Sequence, residues 1–78
     1  MPTLLRLNGF RFFIYSNEAG EPPHVHVTRD GHEAKFWLHD LSLAVNVGFA
    51  GHEIGDILRM LRQHQASLIE GWHGYFGN

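Results

Sequence analysis

The chain has 78 residues and a net charge of −2 with neutral histidines, from six Lys and Arg against eight Asp and Glu. It is 44 % hydrophobic and 13 % aromatic, which excludes a disordered chain, and a pI near 6.3 leaves no global basic field for nucleic acid. The absence of cysteine excludes a disulfide framework and thiolate zinc sites and fits a cytoplasmic location.

A chain this short makes one domain, residues 1–78, and buries on the order of 60 % of its unfolded surface. Stability is then marginal, and dimerisation or a bound partner helps. The opening MPTLLRLNGF lacks a charged n-region, a long apolar run and a cleavage site, so neither a signal peptide nor a membrane span is expected. Seven histidines make the charge sensitive to pH below roughly 6.5.

In chain order, residues 3–7 and 10–16 read as two short strands around the turn Asn8-Gly9, with Phe12 and Ile14 on one side and Arg11, Phe13 and Tyr15 on the other. NEAGEPP is a loop, and Pro22-Pro23 lead rigidly into the next strand. Residues 24–29 and 32–38 flank Asp30-Gly31, a strong hairpin signal. A two-residue turn there pairs Arg29 with His32, Thr28 with Glu33, Val27 with Ala34, His26 with Lys35, Val25 with Phe36 and His24 with Trp37. One face then carries Val25, Val27, Ala34, Phe36 and Leu38. The other carries His24, His26, Thr28, Glu33, Lys35 and Trp37.

LSLAVNVGF reads as a short strand or an irregular crossing. From about residue 51 the period becomes helical, with Ile54, Ile57, Leu58, Leu61, Leu68 and Trp72 close to one stripe. Glu53 sits where a capping-box acid would, although Ala50 stands in place of Ser or Thr. Gly71 and Gly74 weaken the last turns, each by up to about 1 kcal/mol relative to Ala. The expected architecture is α+β: a small, mostly antiparallel sheet of hairpins packed against a long C-terminal helix.

Gly9-x-Arg11, PPHVHV, EAKFWL, the GF before the helix and HQASLIEGWHGYF follow one another in an order and spacing that resembles the bacterial family called domain of unknown function 4160. The positions matching its hallmark are Gly9, Arg11, Pro22, Pro23, His24, His26, Glu33, Lys35, Trp37, His64 and Trp72. Ala50, Gly71 and Gly74 depart from it. The resemblance implies a toxin–antitoxin-like gene pair, with a small cognate partner similar to the family called domain of unknown function 2442.

Three kinds of chemistry fit the polar face. In the first, RNA is cleaved with His24 and His26, about 7 Å apart along the strand, as acid and base. Arg11 and Lys35 hold phosphate and Glu33 orients a histidine. The plain alternative is a solvated polar face. In the second, no other cofactor being expected, His24 and His26 ligate a divalent metal such as zinc, with Glu33 or His39 as third ligand; Lys35 opposes this unless its amine points away. In the third the protein is a non-catalytic interaction or regulatory module, in which Trp37, Phe13 and Tyr15 form an aromatic patch. A sheet edge then pairs with a second copy, as a homodimer, or with the cognate protein. His32 and His52 read as solvated, His64 as a structural hydrogen-bonding group and His73 as terminal packing. Trp72, Tyr75 and Phe76 read as core or dimer contact.

Overall fold

Two Asx-Gly pairs set the first turns of the fold. Asn8 and Gly9 have φ of 53° and 82°, and Asp30 and Gly31 have 51° and 81°. Left-handed backbone at both turn positions matches the twist of the flanking strands, which is why each pair closes a tight hairpin. The computed structural model describes residues 1–77. It has five strands and a helix: β1 (Thr3–Leu7), β2 (Phe10–Phe13), β3 (His24–Arg29), β4 (His32–Trp37), β5 (Leu43–Val47) and α1 (Gly51–Phe76). The strands form one antiparallel meander in chain order. The fold is α+β, as expected.

The β3–β4 register runs from His24↔Trp37 to Arg29↔His32, the pairing that a two-residue turn dictates. It places Val25, Val27, Ala34, Phe36 and Leu38 on one face, each at most 1 % exposed. Phe10, Phe12 and Ile14 continue that face, and Ile57, Met60, Leu61, Leu68 and Trp72 cover it from the helix. Each fully buried aliphatic or aromatic side chain contributes about 1.5–3 kcal/mol, so this layer dominates stability. Met60 belongs to the buried stripe although the period-based reading omitted it.

One element departs from its expected outline, and two others become definite. β2 ends at Phe13 rather than at residue 16; Ile14 still donates its N–H to the Pro2 carbonyl, and the chain then leaves the sheet. LSLAVNVGF does contain a strand, β5, with a register shift opposite Lys35 and Phe36. The helix runs through Gly71 and Gly74 to Phe76. A Cβ at Gly71 would stand 3.3 Å from Leu4 Cδ2, so the small residue lets β1 approach the helix closely. At the other end the Glu53 carboxylate accepts the Ala50 N–H at 2.9 Å, which supplies half a capping box without a capping side chain on residue 50. Among the described residues no helix is long and apolar enough to cross a membrane.

Candidate functional site

The face of the sheet away from the helix is the less ordinary one. Alternation along β3 turns His24 and His26 away from Val25 and Val27. A solvated face would expose them, yet His24 is 0 % and His26 6 % exposed. The segment between β2 and β3 accounts for this. Two successive turns, Glu18 N–H to the Tyr15 carbonyl and Glu21 N–H to the Glu18 carbonyl, fold it back over the start of β3. The Tyr75 hydroxyl, donating to Ser16 Oγ at 3.0 Å, ties its beginning to the helix end. Trp72 lies 4.7 Å from the His24 ring and Phe13 stacks on His26 at 5.5 Å, centroid to centroid. A second, smaller core has formed around two imidazoles.

The centre of that core is Glu18. Its Oε1 lies 2.7 Å from His24 Nε2 and 2.8 Å from His26 Nε2, so one carboxylate oxygen serves both rings. His24 Nδ1 lies 2.9 Å from the Pro22 carbonyl. A carbonyl can only accept, so Nδ1 carries a proton there. His26 Nδ1 is buried without a hydrogen bond; Glu33 Oε2 is 3.3 Å away, within ion-pair distance but off the hydrogen-bonding direction. Burial acts to raise the Glu18 carboxyl, but the hydrogen bonds from His24 and His26 outweigh it and leave the group below its ordinary value. The Tyr15 hydroxyl donates to both Glu33 oxygens at 3.3 Å; burial first, then the Glu33 charge, raises it above 10.0. The ligand atoms of Glu18, His24 and His26 all lie within 4.8 Å of one another, a group that could hold a metal ion.

Of the residues singled out from the sequence, His24, His26 and Glu33 come together. Lys35 sits opposite His26 in the register, but its amine pairs with Glu21 and lies 4.6 Å from the Trp37 ring. Arg11 shares the face, yet its guanidinium bonds Thr3 Oγ1 at 2.8 Å and the Met1 carbonyl at 3.2 Å. It also lies over Phe13, the ring that stacks on His26. His39 is exposed at the end of β4, where its carbonyl accepts from Gln65, and takes no part in the site. The histidines therefore face Glu18, Glu21 and Glu33 at short range, and both cations turn to other partners.

Beside His26 lies an open cleft of about 430 Å³, lined also by Glu33, Lys35, Val45 and Val47. Its far wall is β5, exposed along all five residues. Val45 and Val47 pair with Lys35 and Glu33 and so stand on the histidine face, 50 % and 63 % exposed, with Leu43 at 43 %.

Glu18 is the residue that sequence reasoning missed. It sits in a loop, six and eight residues before the histidines, and no periodicity predicts where a loop carboxylate lands. The available signal was the pivot formed by Pro22 and Pro23, which lets an acid shortly before a strand fold onto its first residues. Among curated proteins and among solved structures none matches the chain. A family profile described as domain of unknown function (DUF4160) matches residues 9–73, which takes in every strand but β1, the loop that carries Glu18 and most of the helix. The chain belongs to this family, domain of unknown function (DUF4160).

Proposed function

We propose that the chain is the protein-binding member of a cytoplasmic two-protein module of the toxin–antitoxin kind, and that its cognate partner adds a strand to β5. The observation that carries this reading is the condition of β5. It is an edge strand that pairs on its outer side with no other strand among the described residues, it has no charge and no proline, and it is exposed along all five residues, with Val45 and Val47 on the histidine face. Soluble proteins blunt such edges when they are to stay free. An added strand would supply main-chain hydrogen bonds and cover these side chains. It would also roof the cleft beside His26.

The test is co-expression with the product of the adjacent gene and purification of the pair. Wild type is expected to form a stoichiometric complex and Val45→Lys to lose it while keeping its own circular dichroism spectrum. A complex that survives both Val45→Lys and Val47→Lys would place the partner elsewhere. A wild-type chain that ignores the neighbour and runs as a Lys-sensitive dimer would make the occupant a second copy.

A second reading, an RNA-directed toxin, is favoured by one observation: His26, backed by Glu18 at 2.8 Å, borders the open cleft. An imidazole held by a carboxylate is an acid–base pair, and Lys35 could hold phosphate after giving up Glu21. The three carboxylates around the histidines oppose an anionic substrate. Induced expression separates the two readings. Growth arrest with RNA breakdown in wild type, absent in His26→Gln at equal protein level, supports the nuclease; growth unaffected by either chain removes it. Either role leaves room for a zinc ion at the two histidines.

A further inference from the structure

Two buried imidazoles and a carboxylate converge on one point: one ligand atom each of Glu18, His24 and His26 lies within 4.8 Å of the others. His24 Nδ1 has a proton committed to the Pro22 carbonyl. Its Nε2, 2.7 Å from a carboxylate oxygen, then requires a second. His26 has two choices. With a proton on Nε2 for Glu18 alone, a lone pair on its buried Nδ1 faces the Glu33 carboxylate at 3.3 Å. With protons on both nitrogens, the pair becomes two adjacent cations, their rings 5.3 Å apart and at most 6 % exposed. The first choice sets a lone pair against a carboxylate, and the second buries two like charges side by side that only Glu18 and Glu33 offset; both cost free energy.

We infer that Glu18, His24 and His26 form a binding site for one first-row divalent cation, zinc-like in its preferences, that fastens the loop between β2 and β3 onto the sheet. With the cation on both Nε2 atoms and on Glu18 Oε1, each ring keeps one proton on Nδ1 and the rings are neutral. His24 Nδ1–H goes to the Pro22 carbonyl, and His26 Nδ1–H lies 3.3 Å from Glu33 Oε2, where a small turn of the carboxylate would complete a hydrogen bond; Tyr15 donates to both oxygens of that carboxylate. Metal-bound histidines characteristically donate the opposite N–H to a carbonyl or carboxylate. Two imidazoles and a carboxylate suit zinc and its neighbours and leave a position for water. Bonds of about 2.0–2.1 Å in a tetrahedral site set the ligand atoms roughly 3.3 Å apart. Glu18 Oε1, at 2.7 and 2.8 Å from the two Nε2 atoms, would retreat on its loop by about half an ångström, and the two rings, whose ligand atoms lie within 4.8 Å of each other, would turn to close on the ion. Lys35, which would repel the ion, is turned aside by Glu21 and Trp37. In a domain of 78 residues, a metal that pins a loop supplies stability that the core alone does not.

The experiment uses the untagged full chain, freed of metal by chelation and titrated with Zn²⁺ by calorimetry. Thermal melts and ¹⁵N NMR of the histidine rings are recorded alongside. Wild type is expected to bind one equivalent, to melt at a higher temperature with the metal, and to show Nε2 coordination shifts at His24 and His26 alone. Glu33→Gln should weaken affinity about 10–100-fold, as loss of an outer partner does, and Glu18→Gln by more. If Glu18→Gln does not fold, the ring shifts of wild type decide by themselves. Shifts confined to His32, His39, His52, His64 or His73, binding unchanged in a folded Glu18→Gln chain, or no binding at micromolar Zn²⁺ would each overturn the assignment.

Discussion

Gly48 is the residue at which the least chemistry has the largest consequence. It follows β5 with φ of 101°, and a Cβ there would stand 2.2 Å from His32 Nδ1, in a ring that itself packs on Phe49 at 5.7 Å. Gly48→Ala must strain the backbone and displace that ring. We expect a loss of about 2 kcal/mol, read as a lower urea midpoint; an unchanged midpoint would show that the turn relaxes freely. Glu18 is a contrasting case. No backbone rule distinguishes it from Glu21 or Glu33, and its importance comes only from where the loop sets it down. Residues whose role follows from local rules, such as Asp30 and Gly31, were legible in the sequence. Residues whose role follows from a long-range meeting were not.

The hairpin β3–β4 and the helix illustrate the same division for whole elements. The hairpin's register was readable because a two-residue turn fixes it and a one-residue slip would turn Val25, Val27 and Phe36 outward. The helix stripe was readable apart from Met60. The β2–β3 loop was not, because its backbone turns and its covering of the histidines depend on a sheet that must already exist. The start of the helix allows a sharp test. The Ala50 N–H, and with it the Arg29 guanidinium, holds the Glu53 carboxyl below its ordinary 4.5 against the opposing effect of desolvation. A carboxyl depressed in the folded state stabilises above its unfolded value and loses that contribution as pH falls through the folded one. Wild type should therefore melt above Glu53→Gln at pH 7, and the gap should close as the pH drops below about 4.5 and through the lower folded value. A gap that persists at pH 2 would mean that Glu53 acts through packing rather than charge.

For the molecule as a whole, β3 is enclosed on both sides: the helix covers its valines, and the loop with Trp72 covers its histidines. Selection acting on the histidines thus also acts on stability, because the rings are packed as core residues are. The same enclosure governs time. Nothing reaches His24 Nε2 until Glu18 has moved off it, so arrival is paced by an opening of the loop rather than by diffusion. In a stopped-flow experiment the observed rate of zinc uptake should climb with concentration and then level off. The plateau is the opening rate itself, and a rate that keeps rising linearly would mean that the histidines are already accessible. Tyr75→Phe, which removes the hydrogen bond that joins the loop at Ser16 to the far end of the helix, should raise that plateau.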